Sequence, residues 1–130
     1  ILRRRDGAWA YQLAVVIDDA LMGITEIVRG RDLLLSTPQQ LHLYNTLGFE
    51  EPYYIHHPLL INEAGQRLCK RDKSLDLSVL RGKGKNPDEI VGFLAFLAGL
   101  LPSPTPSSPQ DLLPLFSWQK VPKEDITAVL

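Results

Sequence analysis

Apolar and polar positions divide the chain into short blocks, and three of these blocks have the character of β-strands. Residues 11–17 form an almost unbroken apolar run that ends at two aspartates. This pattern is typical of a strand buried on both faces, as a parallel sheet requires. Residues 24–29 are rich in β-branched side chains and predict a second short strand. Residues 53–61 predict a third, in which Pro58 requires an edge, a bulge or a break, and residues 62–65 predict a turn.

Two helices are predicted from their N-terminal signals. Thr37 as N-cap, Pro38 at the first helical position and Gln40 three residues after the cap match the capping-box pattern. Gly48 is a natural C-terminal stop for this helix. A second helix begins at the Asn-Pro-Asp-Glu sequence of residues 86–89. It is apolar on nearly every side, so we expect that it is buried or docked on something larger.

The order of these elements is strand, strand, helix, strand and then helices. This order indicates an α/β domain with a mostly parallel sheet, followed by a small helical appendage. Beyond the second helix the composition changes, because residues 102–109 are rich in proline and serine. Such a stretch is typical of an extended linker.

Composition narrows the class of protein. The chain has 130 residues, the size of one ordinary domain, and its 45% hydrophobic and 22% charged residues are typical of a globular protein. One cysteine excludes a disulfide framework and fits a reducing cytosol. Neither a membrane-spanning run nor a signal peptide is visible, so we expect a cytoplasmic protein without a membrane partner. The chain begins at Ile1 without an initiator methionine, which suggests a fragment.

The net charge of −1 conceals a basic segment, residues 67–85. It holds half of the 14 lysines and arginines but only two acids. Its basic residues are Arg67, Lys70, Arg71, Lys73, Arg81, Lys83 and Lys85. Such a segment is either a solvated loop or a contact for phosphate, from a ligand triphosphate or an RNA backbone.

Candidate chemistry is sparse when the residues are considered alone. A phosphate-binding glycine loop and a nucleophile elbow are both missing. Adjacent histidines at 56 and 57 on a strand point to opposite faces, so we predict no metal site. Arg29, at the end of a buried strand, requires an anionic partner, either an internal aspartate or a ligand carboxylate that its planar guanidinium can bind. The residues alone therefore indicate a nucleotide- or acid-binding α/β domain.

Several linked stretches resemble a known family. They are AYQLAVVIDD at residues 10–19, GITEIVRG at 23–30, DLLLST at 32–37, YIHHPLL at 54–60 and GQRLCK at 65–70. In this order they resemble the second half of the catalytic domain of class I glutamyl-tRNA synthetases, and most of all their short paralogues, the glutamyl-Q tRNA(Asp) synthetases. The likeness covers residues 6–101 and, more weakly, residues 112–122. It implies the second Rossmann-like half in residues 1–66, a signature loop and helical subdomain in 67–101, the linker in 102–109 and a short tail in 110–130.

The resemblance also implies roles for individual residues. The family activates glutamate with ATP and passes the glutamyl group to RNA. Tyr11 and Arg29 match the positions that hold the amino acid, and Arg29 is the one that reads its side-chain carboxylate. Lys70 matches the ATP-binding lysine of the signature loop Arg67-Leu68-Cys69-Lys70, which stabilises charge on the phosphates. In this loop Arg67 replaces a lysine and Cys69 replaces a serine.

We therefore predict a fragment of an ATP-dependent ligase that transfers glutamate to the queuosine of tRNA(Asp). The alternatives are part of a standard enzyme charging tRNA(Glu), or a non-catalytic module that binds RNA or anions. ATP is expected to enter with Mg²⁺, and the family's zinc-binding segment is expected upstream of Ile1. The parent is expected to be a monomer, while the fragment is expected to be inactive alone and able to self-associate.

Overall fold

The computed structural model describes residues 2–68 and 77–128. The chain forms two compact units, Ile1–His57 and Pro58–Leu130. The first contains helix α1 (Tyr11–Leu21), strand β1 (Glu26–Gly30), a 3-10 helix (Arg31–Ser36), helix α2 (Thr37–Leu47) and strand β2 (Tyr53–His57). The second contains strand β3 (Leu60–Ile61), helices α3 (Leu77–Gly82), α4 (Pro87–Leu97) and α5 (Pro109–Leu112), a 3-10 helix (Leu113–Leu115) and strand β4 (Ile126–Thr127).

Residues 11–17 were predicted as a buried strand, and this prediction is wrong, because they form the first two turns of α1. The apolar character continues past the two aspartates to Ala20 and Leu21, which gives a segment of 11 residues with apolar positions three and four apart. Only Val16 is fully buried, so one stripe of the helix faces the core. The acidic pair therefore lies within the helix and does not mark a strand end.

Strands β1 and β2 form a two-stranded parallel sheet, which confirms both strand predictions and the α/β class. The register pairs Glu26 with Tyr53 at one end and Gly30 with His57 at the other. The 3-10 helix and α2 make the crossover between the two strands, as a parallel pair requires. In this register Arg29 lies beside His56.

Helix α2 was predicted correctly, but its N-terminal cap was not. The helix begins at Thr37, its N-cap is Ser36, and no side chain of the described residues caps it. The predicted capping box is therefore wrong, because the side chains of Thr37 and Gln40 bond elsewhere, to Arg29. The predicted stop at Gly48 is confirmed by its left-handed backbone, with φ of +74°.

The predicted third strand divides at Pro58, which confirms the expected break. The part beyond the break is β3, which pairs in parallel with β4 near the C-terminus, where Leu60 lies opposite Ile126. The Asp125 carboxylate also accepts a hydrogen bond of 2.9 Å from the Leu59 backbone N–H. The C-terminal tail was predicted to be helical, but its last described segment is a strand. The turn expected at residues 62–65 is present.

Helix α4 begins where it was predicted, with a capping box in which Asn86 and Glu89 exchange hydrogen bonds between side chain and backbone. Residues 102–108 have no regular secondary structure and lie against this helix. A Cβ atom added to Gly92 would meet the backbone oxygen of Thr105 at 1.9 Å, and the N–H of Ser107 donates to the carbonyl of Asp88 at 3.0 Å. The chain itself therefore covers part of this apolar helix. Neither contact tests the predicted division of the chain into residues 1–66, 67–101, 102–109 and 110–130, which stays a prediction.

Candidate functional site

Arg29 lies near the end of β1 and is the centre of a polar cluster in the first unit. Its Nε–H donates to Nε2 of His56 at 3.2 Å, and Nη1 donates to Oε1 of Gln40 at 2.7 Å. Nη2 donates to Oγ1 of Thr37 at 2.9 Å and to the carbonyl of Leu33 at 3.4 Å. Every one of these acceptors is neutral.

Three elements bring these groups together. Strand β1 supplies the arginine, the start of α2 supplies Thr37 and Gln40, and β2 supplies Tyr54 and His56. Alternate residues of a strand face the same side, so the two rings of β2 lie almost parallel, with centroids 6.1 Å apart. The guanidinium carbon of Arg29 lies 4.6 Å from the centroid of the Tyr54 ring, a cation–π contact. The Tyr54 ring and the directed hydrogen bonds together fix the position and the plane of the guanidinium.

Gln40 extends the cluster into the core. It is fully buried, and its Oε1 accepts from both Arg29 and the hydroxyl of Tyr54, the latter at 3.3 Å. Its Nε2 donates to Oε1 of Gln12 on α1 at 2.6 Å. A buried amide with partners on both sides is well satisfied. The sequence pattern missed this role because Gln40 also fits a capping box, although its position four residues before the buried Tyr44 places it on the inner face of α2.

The sequence left two partners open for Arg29, an internal aspartate or a ligand carboxylate. Within residues 2–68 and 77–128, no carboxylate lies within ion-pair distance of the guanidinium. The half-buried charge is therefore solvated by neutral dipoles and is not neutralised by the described part of the chain. Such a group attracts an anion, and its planar fork suits a carboxylate.

Burial and the arginine together control the protonation of the neighbouring rings. Burial lowers the pKa of His56, and the positive charge of Arg29 lowers it further. A neutral ring leaves Nε2 free to accept the Nε–H of Arg29, which assigns the proton to Nδ1. Burial is also the main cause that raises the pKa of Tyr54, so its hydroxyl keeps the proton that it donates to Gln40.

Behind the cluster lies Tyr44, which has no exposed surface. Burial, followed by the neighbouring Tyr54, raises the pKa of Tyr44 to about 12. Its hydroxyl has no hydrogen-bond partner among the described residues, which is a costly arrangement for a buried donor. Tyr44 therefore supports the site by packing and stays uncharged.

Tyr11 is the first residue of α1, and its side chain is 57% exposed. A side chain this exposed is not part of the core. Its phenol is the smallest of the causes that act on the raised pKa of Tyr54, of which burial is the largest. The residue after it, Gln12, joins the cluster directly through Gln40. The structure thus brings the start of α1 to the Arg29 cluster.

The signature loop is described only at its beginning. Arg67 forms an isolated antiparallel bridge with Ile61, and the N–H of Leu68 donates to the carbonyl of Leu60 at 2.9 Å. Cys69 and Lys70 lie outside the described residues, so the assignment of Lys70 to ATP stays a prediction. In the basic segment, Lys85 pairs with Glu89 at 3.3 Å.

The adjacent histidines of β2 differ as the strand geometry predicts. His56 is half-buried in the Arg29 cluster, and His57 is exposed. In the described part of the chain, no three residues of the His, Cys, Asp and Glu types come together as metal ligands would. No helix of this part is both long enough and apolar enough to cross a membrane.

The first unit is thus a parallel βαβ unit in which no described carboxylate neutralises the charge of Arg29. Residues 1–105 match the family described as tRNA synthetases class I (E and Q), catalytic domain. The chain therefore belongs to this family, which confirms the resemblance inferred from its motifs.

Relatives from several bacteria give a finer comparison. The chain is 50% identical over 121 residues to a glutamyl-Q tRNA(Asp) synthetase of Nitratidesulfovibrio vulgaris, covering 93% of the chain and 37% of that protein. It is 46% identical over 126 residues to a protein of the same name from Symbiobacterium thermophilum, covering 97% of the chain and 39% of that protein. The chain thus spans well under half of the length of these relatives.

Solved structures agree with the fold. The crystal structure of a glutamate-tRNA synthetase from Elizabethkingia anophelis superposes with a TM-score of 0.79 and 25% identity, covering 98% of the chain and 30% of that protein. A glutamate tRNA ligase from Elizabethkingia meningosepticum, crystallised with its amino acid, gives a TM-score of 0.77 and 26% identity over 97% of the chain and 29% of that protein.

Proposed function

We propose that this chain is part of an ATP-dependent ligase that activates glutamate and transfers it to tRNA. The observation that carries the proposal is the half-buried guanidinium of Arg29, which four neutral acceptor groups hold in place without neutralising its charge. A glutamate side chain supplies the carboxylate that this site lacks. The names of the relatives support the same substrate.

In the proposed reaction, an oxygen of the glutamate α-carboxylate attacks the α-phosphate of ATP and pyrophosphate leaves. The glutamyl-adenylate then passes its acyl group to RNA. Arg29 binds the side-chain carboxylate, and Tyr11 at the start of α1 contacts the amino acid. Lys70 stabilises the negative charge on the phosphates of ATP, which enters with Mg²⁺. All three residues act by binding and electrostatics, so we assign no covalent step to the protein.

We infer that the RNA acceptor is the queuosine of tRNA(Asp), because the relatives at 46–50% identity carry that activity in their names. A standard enzyme charging tRNA(Glu) is the alternative, supported by a glutamate–tRNA ligase of Halorhodospira halophila at 41% identity over 97 residues. We propose a monomeric parent protein that works in the cytoplasm, where its substrates are found.

The test is ATP–pyrophosphate exchange by the full gene product that carries this chain, with glutamate, glutamine and aspartate compared as substrates. We expect exchange with glutamate in strong preference to glutamine and aspartate, and we expect Arg29→Ala to abolish it while the melting temperature changes by only a few degrees. Transfer of labelled glutamate to tRNA(Asp), with and without queuosine, and to tRNA(Glu) then identifies the acceptor. An Arg29→Ala enzyme with unchanged kcat and KM for glutamate would remove this residue from the site.

A non-catalytic role in binding RNA is the second candidate, favoured by the seven basic residues of the basic segment, residues 67–85. In that case the gene product binds tRNA without any exchange activity, and the affinity falls steeply with salt. Exchange activity that depends on glutamate excludes this candidate.

A further inference from the structure

Gln40 is unusual in its burial. It has no exposed surface, and no other amide or charged side chain is buried in the described ranges 2–68 and 77–128. Burial of an amide is unfavourable unless its hydrogen bonds are satisfied, so such a residue has a specific structural or functional reason. Its two ends join Arg29 to Gln12, a residue 28 positions before Gln40 in the sequence.

The partners fix which way the amide points. Nη1 of Arg29 and the hydroxyl of Tyr54 are both donors, and both are directed at Oε1. The oxygen of Gln12 is an acceptor for Nε2, which holds the other end of the amide. Rotating the amide by half a turn would direct an NH₂ group at the guanidinium and an oxygen at an oxygen. Gln12 therefore satisfies the NH₂ group of Gln40 in the orientation in which Gln40 can accept from Arg29.

We propose that Gln40, oriented by Gln12, is a positioning and specificity residue that fixes the guanidinium of Arg29 without neutralising it, so that the site selects a carboxylate ligand over the corresponding amide. The inference rests on the proposed function, because glutamate and glutamine differ only by this exchange of oxygen for NH₂. It assigns to Gln40 and Gln12 a role in positioning Arg29, which does not require that either side chain contacts the substrate.

The geometry gives a physical reason for an amide at this position. A glutamate residue in place of Gln40 would have the same shape. Its carboxylate, 2.7 Å from Nη1, would however form a charge-assisted pair with Arg29. A ligand carboxylate would then share its cation with a protein carboxylate, and the like charges would oppose binding. A neutral amide positions the guanidinium equally well and leaves its charge to the ligand.

The guanidinium also retains hydrogen-bonding capacity. It has five N–H groups, and the four bonds that it makes use one on Nε, one on Nη1 and two on Nη2. The bond to Leu33, at 3.4 Å, is long and is easily exchanged for a better acceptor. One N–H of Nη1 has no acceptor among the described residues, so an incoming carboxylate can accept a hydrogen bond from the guanidinium.

The experiment compares Gln40→Glu with Gln39→Glu in the full gene product, using pyrophosphate exchange with glutamate and with glutamine. Gln39 lies on the same helix, is exposed and has no side-chain bond to the cluster, so its variant makes the same chemical change outside the site. We expect Gln40→Glu to raise the KM for glutamate at least about tenfold and to lower the preference for glutamate over glutamine by a similar factor. The KM for ATP should stay within about twofold, which a general loss of structure would not allow.

A second pair of variants covers the case in which a new charge at residue 40 prevents folding, as a fall in the melting temperature would reveal. Gln12→Leu removes the acceptor for Gln40 Nε2 and is expected to raise the KM for glutamate several-fold, whereas Gln12→Glu keeps an acceptor oxygen and is expected to recover most of this loss.

An active wild type with an unchanged glutamate preference in Gln40→Glu, or in Gln12→Leu where the first variant does not fold, overturns the inference and leaves the proposed function intact. A wild type with no glutamate-dependent exchange overturns both.

Discussion

At the scale of single residues, His56 connects the charge of the site to the stability of the unit that contains it. Its Nε2 accepts from Arg29 and lies 3.1 Å from Oγ1 of Thr37. A proton on this nitrogen would place two donors against each other beside a permanent positive charge. The neutral ring is therefore part of the native arrangement, in agreement with the lowered pKa that burial and Arg29 produce.

This coupling predicts how the stability depends on pH. The pKa of His56 is lowered from 6.5 in the folded state, so the unfolded chain binds the proton more readily. The stability contributed by the neutral ring is complete above pH 6.5 and is lost as the pH falls through the lowered folded value. We expect the melting temperature of the wild type to fall on acidification below pH 6.5. In His56→Ala this fall should be smaller than in the wild type by on the order of a few degrees. Thermal unfolding followed by circular dichroism between pH 7.5 and 5 measures this difference.

The matched control for this prediction is His42→Ala, which removes an exposed histidine from the surface of α2. It should leave the pH dependence of the melting temperature as it is in the wild type. Parallel pH profiles for wild type and His56→Ala would contradict the assignment of a neutral, accepting ring.

Gly92 shows, at the scale of whole elements, how the Pro/Ser-rich stretch is attached to α4. A Cβ atom at this position would lie 1.9 Å from the carbonyl oxygen of Thr105 and 3.1 Å from Cα of Pro106, and both of these atoms belong to the backbone. Only glycine permits so close an approach. We expect Gly92→Ala to destabilise the protein by about 1–3 kcal/mol, because the stretch must move away from the helix. Chemical denaturation gives this free energy of unfolding directly.

Gly82, the last residue of α3, provides the matched control. A Cβ atom there would meet no described residue within 4 Å, and its backbone is not left-handed. Gly82→Ala is expected to leave the free energy of unfolding unchanged or to raise it by up to about 1 kcal/mol, as alanine does in a helix. If both variants lose the same stability, the close packing of residues 102–108 on α4 is not what makes Gly92 necessary.

The same elements explain which parts of the fold were predictable. Strands β1 and β2, the start of α4 and the stop at Gly48 depend on local sequence signals, and all were predicted. Helix α1 was assigned as a strand because a short apolar run fits a buried strand or a buried helix equally well. Strand β4 has two residues and exists only through its pairing with β3, which no local pattern can indicate.

The candidate site was predictable to a similar extent. Arg29 was selected because a charge near the end of a strand that is expected to be buried needs an anion. Strand β1 is only partly buried, but the structure places Arg29 at the centre of the polar cluster. Gln12, Gln40 and His56 were missed as a group, because their contacts join residues up to 28 positions apart. For Thr37 and Gln40, the local capping signal competed with a distant partner, and the distant partner determined where the side chains point.

At the scale of the whole molecule, the length of the chain and its net charge say little about its function. Its 130 residues equal an ordinary domain, yet they correspond to only 37–39% of the two synthetases compared above. Net charge is equally uninformative at this scale, since −1 averages the basic segment, residues 67–85, against an acidic remainder. The Arg29 cluster supplies a place for a carboxylate, whereas the described residues hold no comparable glycine-rich phosphate loop.

Because the described residues hold a candidate carboxylate site but no glycine-rich phosphate loop, we predict that the 130-residue chain by itself binds glutamate but does not activate it. We expect it to show no measurable pyrophosphate exchange, because activation requires ATP and glutamate to be held together in one geometry, and misplacement by about 1 Å already costs about 100-fold in rate. We still expect weak binding of glutamate, lost in Arg29→Ala, which chemical-shift changes in NMR titrations would detect. Robust exchange by the isolated chain would mean that these residues alone contain a complete activation site, and glutamate binding that survives Arg29→Ala would mean that the ligand carboxylate is held elsewhere.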